Sequence, residues 1–216
     1  MPADDRPPLL LTRPQADAER FAASMPGWRC VISPILAIRP VEHDAARLRD
    51  APGLVFTSAH AVASAGAGRG RPAICVGGHT ASVARGAGFV VTAGGGTADS
   101  LLPLIAAAQV PLIHPHGRHL AKVLPVPGIV VYDQVPQPLS QAAQQLLAGE
   151  TPAILPVFSP RSAELLSAQA SGARAPLWLA AISAAAALAF GQPCDRCIVA
   201  PSPSAEGMRA AITGLL

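Results

Sequence analysis

The sequence predicts an α/β protein built from two similar halves, each a parallel sheet covered by helices. Three observations carry this expectation. Apolar runs of four to six residues alternate with small polar turns and Ala-rich helical stretches, the sequence form of strand, turn and covering helix. The rhythm occurs twice, in the same order and at similar length, which makes it an internal repeat. Proline-rich joints at 33–40 and 135–138 break the rhythm at two places. Proline there stiffens a connection without donating to a central sheet, so the joints read as two crossings between halves that can hinge.

Element by element, Leu9-Leu-Leu-Thr-Arg-Pro14 opens the chain as a strand ending in a polar loop and is matched by Pro111-Leu-Ile-His-Pro-His116. Helix-like stretches follow at 15–24 and 117–124, then second apolar runs at 30–38 and 129–132. Leu54-Val-Phe-Thr-Ser-Ala-His-Ala-Val62 matches Leu155-Pro-Val-Phe-Ser-Pro-Arg-Ser-Ala163, with Phe56 placed over Phe158 at an offset of 102. Ala73-Ile-Cys-Val-Gly-Gly-His-Thr-Ala81 matches the stretch 179–187, with Gly77 over Ser183 at 106, and Thr97-Ala-Asp-Ser-Leu101 matches Ser204-Ala-Glu-Gly-Met208. Gly66-Ala-Gly-Arg-Gly-Arg71 opens no helix after a strand and reads as a flexible loop, and Gly94-Gly-Gly96 as a turn.

Composition narrows the function classes. The 216 residues are 50% hydrophobic and 13% charged, with a net charge of +3, against about 25% charged in an average soluble domain; disorder and coiled coil are excluded. One lysine stands among scattered arginines and aromatics make up 4%, so no basic stripe with stacking platforms is available to nucleic acid. The uncharged run 175–194 is long enough to span a bilayer. Its prolines, Gly191 and Ser183 instead predict a strand, a polar turn and a buried Ala-rich helix. The segment from Met1 to Pro8 reads as neither leader nor anchor, which points to the cytoplasm. There Cys30, Cys75, Cys194 and Cys197 stay reduced, and Cys194-Asp-Arg-Cys197 reads as two structural thiols at a turn.

In folds of this class the loops after the carboxyl ends of the strands line the ligand crevice. The candidates are therefore Thr12 and Arg13, residues 57–60, 77–80, 114–118 and 159–162, and Ser183. Hydroxyls such as Ser58 and Ser159 stand where they cap helix amides, yet a partly capped helix start also attracts carboxylates or phosphates. Val76-Gly-Gly-His-Thr80 lets backbone approach a ligand but lacks the GK[ST] ending of a phosphate loop. His114-Pro-His-Gly-Arg-His119 gathers three imidazoles without a local carboxylate or thiol; it reads as a polar loop lining the crevice, and no metal is expected. Tyr132, the one tyrosine, stands at a strand end before a crossing and offers a proton and a hydrogen bond at neutral pH, with a core aromatic as the plain alternative.

Together these motifs resemble the uroporphyrinogen-III synthase family: LLLTRP at the opening, the FTSAHAV and VGGHTA turns, VYD at the crossing and FSPRSAELL, over nearly the whole chain in the family's order. The resemblance implies two Rossmann-like or flavodoxin-like domains joined by a two-strand linker. Residues 1–37 with 137–216 form one domain, 39–134 the other, and linkers lie near 36–40 and 133–138. It implies a cofactor-free lyase of haem biosynthesis that closes hydroxymethylbilane to uroporphyrinogen III with ring D inverted through a spiro intermediate. The partner is that small molecule, with no nucleic acid and no membrane, and the chain is expected to be a monomer. Carried over by position, Tyr132 is the proton donor. Thr57, Ser58, His60, Gly78, Thr80, Ser159 and Ser183 hold substrate, with Arg13, Arg161 and Ser162 as further contacts. The chain departs from the family pattern at Ala185 and Ala186, where threonines are usual, at His60 in place of asparagine or arginine, and at Gln134 in place of threonine. The lost hydroxyls leave backbone donors near Ser183, and they keep open a non-catalytic two-lobed binding module as the alternative.

Overall fold

Short strands followed by helices build two sheets whose registered pairings are parallel. The computed structural model describes residues 6–216; the leader reading of Met1 to Pro8 falls largely outside them. In chain order the first elements are β1 (Leu9–Leu11), α1 (Gln15–Ala23), β2 (Cys30–Ile32), β3 (Leu36–Pro40) and α2 (Ala45–Arg49). There follow β4 (Gly53–Phe56), a 3-10 helix (Ala59–Ala65), β5 (Pro72–Cys75), α3 (Gly78–Gly86) and β6 (Val90–Ala93). A 3-10 turn (Asp99–Leu101) leads into α4 (Leu102–Ala106), then β7 (Leu112–Gly117) and β8 (Gly128–Pro136). The last are α5 (Gln141–Leu147), β9 (Ala153–Val157), α6 (Pro160–Ala170), β10 (Leu177–Ala181), α7 (Ala184–Phe190), β11 (Arg196–Val199) and α8 (Ala205–Gly214).

The chain divides into a split unit, residues up to Ala37 with Val135–Leu216, and an inserted unit, Ile38–Gln134. Strand order is β11-β10-β9-β1-β2 in one sheet and β3-β8-β7-β4-β5-β6 in the other. Apart from the added edge strand β3, the two orders are the same under the correspondence β1 with β7, β2 with β8, β9 with β4, β10 with β5 and β11 with β6. The internal repeat is therefore a repeat of topology.

Register corrects the alignment in two places. Ser58 and Ser159 are equivalent N-caps, so this pair of elements is offset by 101 and Phe158 matches Thr57, not Phe56. Leu9 lies opposite Ile154 and Leu112 opposite Gly53. With that offset, Leu112 is the counterpart of Leu9 and His114 that of Leu11, one residue from the sequence match.

Each sheet carries a proline beside its central junction. Ile154 donates its N–H towards β1, to Pro8 O, so Pro156, two residues on, would point a donor the same way and has none. The registered β1–β9 pairing is Leu9↔Ile154 alone. In the inserted unit His114 donates towards β8, to Pro127 O; Pro115 therefore faces β4, and the β4–β7 pairing stops at Ile113. Both sheets thus come unzipped at the carboxyl end of the same junction.

The cores sit on either face of each sheet. Leu10, Leu155, Val157, Leu166, Leu179 and Phe190 fill one side of the split unit, and Leu9, Leu11, Phe21, Ile154, Met208 and Ile212 the other. Burying such side chains stabilises by about 1.5–3 kcal/mol each. In the inserted unit Leu48, Leu54, Phe56, Val62, Phe89 and Tyr132 pack together, with Val55, Ile74, Leu101, Leu112 and Leu124 opposite.

Four further expectations are corrected. No helix forms at 117–124: β7 runs to Gly117, and the prolines at 125 and 127 leave fewer than the turns a helix nucleus needs. The single run 30–38 is two strands, broken at Ser33-Pro34. Tyr132 lies within β8, which continues to Pro136, rather than at its end. The glycine-rich stretch 66–71 is a fastened loop. The Arg71 guanidinium donates to the carbonyls of Leu48, Arg49, Ala51, Ala65, Ala67 and Gly68 at 2.8–3.2 Å. A Cβ on Gly68 would stand 2.3 Å from Gly88 and Phe89 backbone atoms, so only glycine permits this approach.

Candidate functional site

Strand order reverses direction between β4 and β7 in the inserted unit and between β9 and β1 in the split unit. These are the switch points where loops diverge and leave room for ligands. The prolines described above withhold a ladder hydrogen bond at both.

In the inserted unit β4 delivers Thr57 and Ser58 to this place. Ser58 is the N-cap of the following 3-10 helix, its Oγ accepting from His60 N at 3.3 Å. Thr57 Oγ1 stands 2.9 Å from His114 Nε2, a side-chain link across the junction where the backbone ladder has stopped. His114 and His116 belong to β7, not to a loop: the alternating pattern Leu112 in, His114 in, with Pro115 tolerated at the unzipped junction, makes strand of a segment that looks like turn. Burial, and then His116, push the His114 pKa down to about 4. The two rings lie 4.9 Å apart, and His116 Nδ1 is 2.8 Å from Gly117 O, which makes it the donor to that carbonyl.

Gly117 is the floor for Tyr132. A Cβ there would lie 2.5 Å from the Tyr132 ring, so the close approach requires glycine. Tyr132 is 6% exposed, packed in the inserted unit's core with its ring edge-on to His60 at 6.0 Å. Beyond it Asp133 accepts from Arg118 Nε at 3.0 Å and from Gln134 N at 2.7 Å. After β5, Gly77 starts α3 without a side-chain cap, Gly78 has open space where a Cβ would stand, and Thr80 is buried in the first turn. Thr57, Ser58, His60 and Tyr132 are thus on contiguous elements of one unit, with Gly78 and Thr80 at the head of the next helix.

The split unit holds the other named residues. Arg13 Cζ lies 4.3 Å over the Phe158 ring, and its guanidinium reaches Asp17 at 3.5 Å; desolvation lowers the Arg13 pKa against the raising pull of Asp17. Ser159 and Ser162 form a closed capping box: Ser162 N donates to Ser159 Oγ, Ser159 Oγ donates to Ser162 Oγ, and Ser162 Oγ donates to Ser159 O. Both hydroxyl protons are held inside the turn, with Arg161 beside them. Ser183 Oγ caps α7 by accepting from Ala186 N at 3.2 Å, which leaves its own proton available. Ala185 and Ala186 follow in α7.

Neither the Thr57–His114 link nor the Gly117 floor was singled out in the sequence. The signal for the first is the duplication itself: a histidine at the position of a buried leucine. Burial pushes the Cys75 and Cys194 thiols up to about 11, Cys194 with added repulsion from Cys197 and Asp195, so neither is a thiolate nucleophile at neutral pH. Among the described residues no three His, Cys, Asp or Glu side chains gather as metal ligands, and no helix is long and apolar enough to cross a membrane.

The family model described as uroporphyrinogen-III synthase HemD matches residues 20–210. Among solved structures, the crystal structure of a uroporphyrinogen-III synthetase from Helicobacter pylori 26695 is similar, with a TM-score of 0.62 and 16% identity over 98% of this chain and 100% of that chain; at that identity the likeness is one of fold. No curated protein matches the sequence significantly.

Proposed function

The chain belongs to the uroporphyrinogen-III synthase family, and from that premise we propose that it cyclises hydroxymethylbilane to uroporphyrinogen III with inversion of ring D. The observation that carries this reading is the family match across residues 20–210. Both lobes are read as Rossmann-like.

The proposed reaction starts with loss of water from the ring A hydroxymethyl group, which leaves an azafulvene cation. The substituted carbon of ring D attacks it, the spiro intermediate fragments, and the ring recloses at the other carbon. One water leaves and one carbon–carbon bond is gained overall, so the atoms balance without an oxidant or cofactor. Tyr132 is assigned the proton donated to the departing hydroxyl. Its ring, seated over Gly117, keeps the phenol in one place.

The substrate bears acetate and propionate on every ring, and binding is assigned to groups that donate hydrogen bonds to carboxylates. In the inserted unit these are Thr57, Ser58, His60, Thr80 and the backbone at Gly78. In the split unit they are Arg13, held flat by Phe158, and Ser183, with the Ser159-to-Ser162 turn and Arg161 framing the place. Holding a reactive linear chain in a folded pose is the main catalytic task, because orientation alone is worth several orders of magnitude in rate.

The test is a product ratio. Purified protein mixed with freshly made hydroxymethylbilane is expected to shift the product from isomer I, which forms unaided, to isomer III. A product that stays isomer I overturns the reading in favour of a non-catalytic binding module, the reading that Ala185 and Ala186 at the α7 turn favour.

A further inference from the structure

His114 is a buried titratable side chain to which the proposed reaction gives no task. It is 2% exposed, within β7, at the position where the split unit carries Leu11. With its pKa held down to about 4, the ring is uncharged at neutral pH and carries a single N–H.

The place of that proton follows from its partners. Among the described residues the ring makes its hydrogen bond through Nε2, to Thr57 Oγ1 at 2.9 Å. A proton on Nε2 points at that oxygen. A proton on Nδ1 would have no acceptor among the described residues, in a side chain that is only 2% exposed, and ordinary proteins avoid leaving a donor unmet in such a place. With Nε2 as donor, Thr57 Oγ1 is the acceptor, and its own hydroxyl proton has no acceptor among the described residues.

We infer that His114, as the Nε2–H tautomer, is a positioning residue that turns the Thr57 hydroxyl into an outward donor for an anionic oxygen of the ligand. The opposite tautomer would draw the Thr57 proton inward and present only lone pairs, which repel a carboxylate. Unit comparison shows that the ring is there for its hydrogen bond: a leucine fills this position in the split unit, so packing alone does not call for an imidazole, whereas a partner for Thr57 does. The identity of the ligand oxygen as a substrate carboxylate rests on the proposed reaction; the tautomer does not.

Nitrogen-15 NMR of the histidine-labelled protein reads the tautomer without any ligand. The expected spectrum has His114 protonated at Nε2 and bare at Nδ1, with the Nε2 resonance displaced in Thr57→Val. Protonation at Nδ1, or no response to Thr57→Val, overturns the inference. Kinetics with hydroxymethylbilane supply the second arm. His114→Leu and Thr57→Val are each expected to raise KM about tenfold, the worth of one hydrogen bond to a charged group, with a smaller change in kcat. The double variant is no worse than either single, and His114→Gln, whose amide can donate to the same oxygen, recovers most of the loss. Losses that multiply in the double variant, or a glutamine variant as poor as the leucine one, overturn it. A wild-type chain that makes no isomer III overturns the proposed reaction instead and leaves the NMR result standing.

Discussion

The two units share one strand order but arm their switch points with opposite chemistry. In the split unit the place beside β9 and β1 is cationic and aromatic, Arg13 stacked on Phe158, and the Ser159–Ser162 hydroxyls are turned in on themselves. In the inserted unit the same place beside β4 and β7 is uncharged, with Thr57 tied to a neutral His114 and Tyr132 laid over Gly117. Topology fixes where a ligand can approach; which groups meet it depends on a handful of side chains at equivalent positions. Leu11 against His114 is the sharpest of these contrasts, since both are buried and one is inert.

The largest expected consequence of that contrast appears on acidification. The folded-state His114 pKa of about 4 lies below the ordinary 6.5, so between those values the unfolded chain binds the proton and the folded one does not. Stability from this residue is full above pH 6.5 and is lost as pH falls towards 4. The shift corresponds to about 3 kcal/mol. Urea unfolding of wild type and His114→Leu across this range should show the wild type losing that much more; parallel curves would mean that the imidazole is not buried as described. Next, Tyr132→Phe is expected to slow isomer III formation by about 10²-fold with its unfolding midpoint kept, measured by product chromatography. An unchanged rate would move proton donation elsewhere and leave the inserted unit no more reactive than the split one.

Gly117→Ala strikes the floor beneath that ring. Its Cβ would stand 2.5 Å from Tyr132, so it should cost about 1–3 kcal/mol by overpacking, and slow isomer III formation as well, both seen in one preparation. Smallest is Ser183→Ala, which removes the α7 cap and should lower stability by about 1 kcal/mol. A loss of that size in the split unit, where Gly77 serves the equivalent position in the inserted unit with no side-chain cap, would show that one turn is braced and the other left open.

The sequence disclosed most strands because their apolar runs are followed, two residues on, by helix-capping serines and glycines: Ser58 and Ser159 after β4 and β9, Gly77 and Ser183 after β5 and β10. It misled where proline and histidine mimic a loop. His114-Pro115-His116 is strand only because Pro115 faces a junction that has no use for its missing donor, a condition set by the neighbour β4 and invisible in the segment itself. The loop 66–71 misled in the opposite direction, because its glycines announce freedom while a single arginine removes it. The candidate positions were legible as residues after strands. The pairing of Thr57 with His114, 57 positions away, and the fit of Tyr132 on Gly117 arise from register and were not.

Strand β1 lies between β2 and β9 in its sheet, although 141 residues separate Leu11 from Ala153 and the whole inserted unit is encoded between them. On a ribosome the inserted unit is therefore complete before its host has acquired a centre: β2 can pair with Leu9, Leu10 and Leu11 early, but the other edge of β1 must wait, greasy and open, until β9 emerges. The order in which this protein is made is not the order in which it closes.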